Sequence, residues 1–422
     1  MQVAHAMFQV MSISTLLLPT RHGLKRMLLL SPVNGHLHFF PSQLICDDPN
    51  SLLHKKRYAS STEIQSYLKA VVAHFNLERF IRYNSAVLHA QWNAERAVWI
   101  VDVQNHGSVE SEILINAGGI LNHPQMPQID GVSSFGGPLL HTACWDRSVD
   151  LRGKRVAVIG AGASAIQLIP QIQRYCRKVD VYIRTPSWIS PPAVPVLRVA
   201  AAAHQQGPQA QLAAEQNHEY RKDEMDHFRR RSDAYLETRK EMDNQLNGKF
   251  KTFFKKSPEQ RSARAQFEER MKQLIPDREL QRRLIPAFEV GCRRINPGEA
   301  YLEALQKDNV EPIFEPIREI VADGLILEQL GNYSTNHSCV HRPADILIAA
   351  TGFNTTFRPR IPIIGLNGVN LQDQWASDPV SYMGLAVAGY PNYLMFLGPN
   401  TPISNGSLMG MYLLPSSPPL VH

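Results

Sequence analysis

The chain has 422 residues, 44% of them hydrophobic, which is more than one core usually organises and leads us to expect two or three domains. Its 44 Lys and Arg against 38 Asp and Glu give a net charge of +6, spread among acids rather than massed in one tail. That pattern argues against a nucleic-acid or membrane binder and leaves a mild attraction for phosphorylated small molecules.

The five cysteines, Cys46, Cys144, Cys176, Cys292 and Cys339, are odd in number and lack CxxC spacing. They speak against a disulfide framework or any metal site and for a reducing compartment, the cytoplasm. No stretch approaches the roughly 20 apolar residues of a membrane span.

The first 46 residues contain no Asp or Glu while carrying Arg21, Lys25 and Arg26, and are expected to be a divergent or misjoined N-terminus, with an organelle transit peptide as the alternative. From Ser60, "SSTEIQSYLKAVVAHF" predicts a helix: Ser60 and Glu63 have capping-box spacing, and Ile64, Leu68, Val71 and Phe75 share one face. "AVLHAQW" and "AVWIVDV" alternate around "NAER" as a hairpin does, and "EILINAGG" reads as a buried strand ending in glycines. "KRVAVIGAGASAIQLIPQIQRY" reads strand, glycine turn, helix, and "KVDVYIRTP" supplies the next strand.

From about 201 to 285 the composition turns to dense mixed charge with helical periodicity, as in Ala263, Phe267, Met271 and Leu274. Arg229, Arg230 and Arg231 there are expected to be a solvated face. Strand character returns at "NVEPIF", "GLILEQL" and "ADILIAATGF". The fold class is α/β.

The turn "GAGASA" has dinucleotide-binding spacing. Gly160 permits a tight turn, Gly162 lets the backbone approach a pyrophosphate, and small Ala165 allows close helix packing, so Gly160, Ala161, Gly162, Ala163, Ser164 and Ala165 form the candidate phosphate cradle. The helix that begins there aims free N–H groups and a positive dipole end at the phosphates. The second strand ends in Arg184-Thr185 rather than in an acid. A guanidinium suits a 2′-phosphate, so NADPH is favoured over NADH.

Upstream stands Phe135-x-Gly137-x3-His141-x3-Trp145-Asp146. Singly, His141 reads as a structural histidine and Trp145 as packing. Together they reproduce the fingerprint F-x-G-x3-H-x3-W-[P/D] of Baeyer-Villiger monooxygenases, placed just before the glycine loop as in that family. The resemblance covers most of residues 56 to 407 and is closest to fungal secondary-metabolite enzymes of the sterigmatocystin and aflatoxin type. It rests also on "RTPSWISP", "GCRRINPGEAYLEAL", "DILIAATGF" and "GYPNYLMFLGPNTPISNGS".

The resemblance implies two Rossmann-like dinucleotide domains, an NADPH domain inserted into an FAD domain through two crossings that look like "ILINAGG" and "LIAATGF". The division it suggests is 1–46 divergent N-terminus, 47–140 first FAD part, 141–200 first NADPH part, 201–285 helical insertion, 286–335 second NADPH part and 336–422 second, truncated FAD part. It implies a class B flavin monooxygenase: NADPH reduces FAD, O2 adds, and oxygen is inserted into a small-molecule ketone.

The family's active-site arginine, which steadies the anionic oxygenated flavin and binds NADPH, falls on Arg294. His141 acts through domain linkage and nicotinamide positioning, and the cofactor-adjacent aspartate falls on Asp47 in "CDDP". Val87, Gly352 and Phe353 are implied cofactor contacts. The chain departs from the family in that residues 1 to 46 hold no second glycine loop and "CDDPNSLLHKKRYASS" omits a family stretch, while the sequence stops soon after "GPNTPISNGS". Three readings follow: an active Baeyer-Villiger enzyme described by an incomplete sequence, a catalytically defective NADPH-binding fragment, or an N- or S-oxygenating or hydroxylating relative.

Overall fold

A computed structural model describes residues 11–17, 27–33, 61–190, 222–231, 233–234, 237, 250–293, 295–328 and 339–401. Its central feature is a five-stranded parallel sheet in the order Val310–Ile313, Lys178–Tyr182, Arg155–Ile159, Ile346–Ala349, Leu139–His141. Of these strands, Ile346–Ala349 lies outside the segment 141–335 that the sequence division assigns to the nicotinamide unit and Leu139–His141 straddles its start, yet both hydrogen-bond into its sheet.

Strands of such a sheet are covered on both faces and read as unbroken apolar runs, which is why "RVAVI" and "ILIA" lack alternation. Val156, Val158, Ile346 and Ile348 face the helices Ala163–Ile172 and Glu299–Ala304 in the larger core. Ala157, Ile159 and Leu347 face an antiparallel meander, Ile317–Val321, Gly324–Glu328 and Cys339–Pro343. The helix Pro258–Leu274 starts where expected of its sequence: Ser257 caps it by accepting from the Gln260 N–H at 2.9 Å, and Pro258 occupies the first turn, where its missing N–H costs nothing. Its Met271 is buried in the same core, with Phe267 and Leu274 packed at the margin.

A second unit combines two further sheets. One has the order Tyr393–Met395, Ile113–Asn116, Met27–Val33, Met11–Leu17, Ile81–Arg82, with the first three strands parallel. The other is Ile363–Ile364, Val87–Asn93, Val98–Val103, Gly107–Ser111. The hairpin around "NAER" is present, with Ala97 at φ 51° in its turn, and a third strand follows it.

Two strands thus lie within the stretch expected to be merely divergent. The core of this unit centres on Trp99, fully buried, whose indole N–H donates to the Pro391 carbonyl at 2.9 Å and whose ring lies 6.0 Å from that of Tyr393. The first helix among the described residues is Ser61–His74; it buries Ile64 and Tyr67, whereas Phe75, expected on that face, lies beyond the helix end and is exposed.

Arg229 and Arg231 pair with Asp226 and Asp233 at 2.8 and 2.7 Å on a solvent-facing surface. Among the described residues no helix is long and apolar enough to cross a membrane. Trp99→Ala removes both the ring and its hydrogen bond from this core and should cost about 3–5 kcal/mol. The urea midpoint measures it; a change under about 1 kcal/mol would remove Trp99 from the centre of the second core.

Candidate nicotinamide site and domain crossing

The strand Arg155–Ile159 ends in Gly160, at φ 119°, a region closed to side chains. A Cβ there would also stand 2.5 Å from the Ala350 carbonyl oxygen. The turn is pinned on both sides: Gly160 N–H donates to Tyr182 O at 3.0 Å and Ala350 N–H to Ile159 O at 2.9 Å. Ala161 and Ala165 are buried, while Gly162, Ala163 and Ser164 line the open side.

At Gly162 the backbone is extended, and an added Cβ would meet no atom within 4 Å. The constraint there is room outside the turn, not contact within it. The helix Ala163–Ile172 has no side-chain cap, which leaves its leading N–H groups to an external acceptor. Ser187 Oγ donates to Ala161 O at 2.8 Å and ties the following loop to the same turn. Arg184 is exposed at the end of the second strand, with Thr185 half-buried beside it, and Arg184 has no hydrogen bond or ion pair among the described residues.

The fingerprint residues separate across the edge strand Leu139–His141. Phe135 packs on the meander face with Leu139, and Trp145 is buried on the helix face with Leu140. Gly137 lets the chain pass between them, because a Cβ there would lie 2.4 Å from Asp345 O and 2.9 Å from the Phe135 ring. Asp146 closes the motif outside the core, its carboxylate accepting from the N–H and Oγ of Ser148 at 2.8 and 2.7 Å, and these bonds hold its pKa below the usual carboxylate value.

His141, at the end of the strand, is 5% exposed. Its Nδ1 accepts from Ala143 N–H at 2.9 Å, so the proton of the neutral ring resides on Nε2, which is buried and has no hydrogen-bond partner. The carbonyls of Gln125 and Gly352 lie beside the ring and favour its protonated form, but desolvation is the larger effect and lowers the pKa.

Those two carbonyls belong to the segments that connect the two units. His123–Gln125 and Gly352–Asn354 run antiparallel: Gln125 N–H donates to Gly352 O at 3.0 Å, Asn354 N–H to His123 O at 2.8 Å, and Pro124 bridges Phe353. Gly352 takes φ 80°, and the Phe353 ring meets the His141 ring edge to face at 6.4 Å. The structure therefore gathers the glycine turn, His141, Gly352 and Phe353 around one junction.

Val87 stands apart from them, buried in the second core and lining a cleft of about 160 Å³. Asn116, Gly118, Gly119, Arg358 and Arg360 line the same cleft. Sequence reading missed these arginines because they sit on loops; their spacing as R-x-R after the Thr-Gly turn was the available signal. Desolvation lowers the pKa of Arg360, which holds its charge beside the apolar wall of Val87, Phe357 and Ile361.

Arg294 and Asp47 lie outside the described residues. The loop that leads into Arg294 is firmly held. Trp188 Nε1 donates to Phe288 O at 2.9 Å, Gln260 Nε2 donates to Val290 O at 2.6 Å, and Gly291, at φ 91°, leaves space for the Phe253 ring, which an added Cβ would approach to 2.7 Å. Among the described residues no group of three or more His, Cys, Asp or Glu could hold a metal ion.

Residues 25–247 match the family described as pyridine nucleotide-disulphide oxidoreductase. The chain is 35% identical over 364 residues to the FAD-binding monooxygenase moxY of Dothistroma septosporum, covering 83% of this chain and 54% of that protein. It is 35% identical over 366 residues to the FAD-binding monooxygenase stcW of Emericella nidulans, covering 84% and 57%. A Baeyer-Villiger monooxygenase of Pseudomonas aeruginosa is 29% identical over 358 residues, covering 84% and 62%.

The chain thus spans a little over half the length of the fungal relatives. The fold matches an open crystal structure of cyclohexanone monooxygenase with a TM-score of 0.69 at 24% identity, covering 87% of this chain and 72% of that one. A structure described as OTEMO complexed with FAD and NADP gives 0.69 at 24%, covering 85% and 69%. At that identity the likeness establishes the fold, a two-domain α/β architecture.

The depressed pKa of His141 has a sign that can be tested. The folded chain keeps the ring neutral while the unfolded chain takes up a proton below about pH 6.5, so stability falls as pH drops below that value. The loss continues until the folded ring also protonates, with a ceiling of about 1.4 kcal/mol per pH unit. The drop in thermal midpoint between pH 7.5 and 5.5 should be smaller in His141→Gln than in the parent chain; an equal drop would mean that the imidazole is not held neutral.

Proposed function

We propose that this chain, which belongs to the pyridine nucleotide-disulphide oxidoreductase family, is a flavin-dependent monooxygenase that takes electrons from NADPH and inserts an oxygen atom into a ketone in fungal secondary metabolism. The observation that carries this reading is the fingerprint in place. Phe135 and Trp145 lie on opposite faces of the strand that delivers His141 to the crossing, with only Ile346–Ala349 between it and the strand of the glycine turn. The names of the fungal and bacterial relatives support the flavin and the Baeyer-Villiger chemistry.

The residues present fit a nicotinamide dinucleotide. Gly162 leaves the approach clear, the uncapped helix supplies donors for a pyrophosphate, and exposed Arg184 is free to pair with a 2′-phosphate. His141 is assigned to the crossing: burial favours its neutral ring beside the Gln125 and Gly352 carbonyls and against the Phe353 ring, where a protonated ring would add a buried charge.

The cleft that Val87 lines fits part of an FAD. Gly118 and Gly119 permit close approach of the backbone, and Arg360 adds positive charge to the lining, with Arg358 beside the Asp373 carboxylate at 3.7 Å. FAD, when bound, supplies the transfer of electrons to oxygen. Arg294 is assigned to the reacting centre at the end of the loop held by Trp188 and Gln260, Asp47 to the flavin side, and the cytoplasm is the compartment.

Purification of the full chain with measurement of its flavin absorbance tests the reading. Bound FAD with ketone-dependent NADPH oxidation supports it; a folded, colourless chain that still binds NADPH would make it the nicotinamide-binding portion of such an enzyme without the activity, and oxidation with amines or sulfides alone would shift the substrate class.

Arg184→Ala should weaken NADPH binding roughly 10- to 100-fold, the range for one hydrogen-bonded charge pair, and leave NADH affinity within about twofold. An equal loss for both nucleotides, read by calorimetric titration, would take Arg184 away from the 2′-phosphate.

A further inference from the structure

Between Asp243 and Glu259 the sequence carries four lysines, Lys249, Lys251, Lys255 and Lys256, and three phenylalanines, with no acid. The described part of this stretch is a short 3-10 turn, Phe250–Phe253, that leads into the helix Pro258–Leu274. Its side chains divide sharply. Thr252 is buried and the Phe253 ring is wedged under Gly291, whereas Phe250 and Phe254 are 46% and 55% exposed.

The two outer rings stack edge to face on each other at 5.5 Å instead of turning inward. Lys251, Lys255 and Lys256 are exposed around them, and none is paired with a carboxylate among the described residues.

This display is fixed. The Ser257 hydroxyl donates to Lys251 O at 2.9 Å, Phe254 N–H donates to the same carbonyl at 3.1 Å, and Arg261 Nη1 donates to Lys256 O at 2.6 Å. Lys256 takes φ 65°, an uncommon conformation for a side chain of its size, which sharpens the corner. Two aromatic rings held outward inside a ring of unpaired lysines fit a surface that is apolar a few ångströms down and anionic at the top. A bilayer with acidic headgroups has that layering; a polyanion offers the charge without the apolar layer.

We propose that the turn at residues 250–256 docks the chain peripherally on an anionic lipid surface, with Phe250 and Phe254 entering the headgroup boundary and Lys251, Lys255 and Lys256 meeting acidic headgroups. No spanning segment is needed. Because Phe253 of the same turn supports Gly291, the docked face lies next to the loop that leads into Arg294. An apolar substrate dissolved in the bilayer would then meet the protein at this edge. The docking itself does not depend on the proposed oxygenation, and its test uses no catalytic readout.

The full chain is sedimented with phosphatidylcholine vesicles and with vesicles containing 30 mol% phosphatidylserine. We expect binding to the second only, weakening as salt rises. Lys251→Gln/Lys255→Gln/Lys256→Gln should lower the partition coefficient roughly a hundredfold, at about fivefold per charge. Phe250→Ser/Phe254→Ser should lower it roughly tenfold per ring. Far-UV circular dichroism and thermal midpoints confirm that both variants are folded.

Absence of phosphatidylserine-dependent binding overturns the proposal, as does binding that neither variant alters. Loss in the lysine variant alone, with equal affinity for heparin, also overturns it and assigns the patch to a soluble polyanion.

Discussion

The proposed nucleotide site depends on how closely two strand ends approach one another. The turn at Gly160 runs so near the end of Ile346–Ala349 that no side chain fits between it and the Ala350 carbonyl. The two strands are almost 190 residues apart in sequence, yet each ends at the same height in the sheet. Because the second of them continues directly into the crossing at Gly352, the glycine turn and the connection between the two units are parts of one corner. His141, delivered by the next strand along, completes that corner from the other side.

The fingerprint takes on a mechanical meaning in this setting. Spacing alone cannot say why a phenylalanine, a glycine, a histidine and a tryptophan should recur together. The structure shows two anchors of opposite facing, a gap for the chain to pass, and a three-residue strand between them that ends in a buried ring. A strand of that length has few hydrogen bonds of its own, and its position at the sheet edge is secured mainly by the burial of Phe135 and Trp145 on either side.

What was legible in the sequence was whatever has a short period or a strict local geometry. The apolar runs "RVAVI", "KVDVY" and "DILIA", the glycine turn and the hairpin at "NAER" each state their conformation within ten residues. The cleft was not legible, because Val87, Asn116, Arg358 and Arg360 come from separate loops and strand ends that only long-range packing unites. Phe75 misled because helical periodicity continues one residue past the point at which the helix stops. The strands Met11–Leu17 and Met27–Val33 were hidden by an unusual composition, although pairing of Met27–Val33, parallel with Ile113–Asn116 and antiparallel with Met11–Leu17, needs only apolar runs of the right length. The side chain at Arg184 was legible as a type; its lack of a partner among the described residues was not.

The double crossing also limits how the two units can move. Two chains that cross side by side, tied to each other by Gln125 and Asn354, cannot be stretched separately, and sliding one along the other would break both bonds at once. The pairing by itself opposes separation and sliding more than rotation about its own line, with the His141 and Phe353 rings in edge-to-face contact beside it.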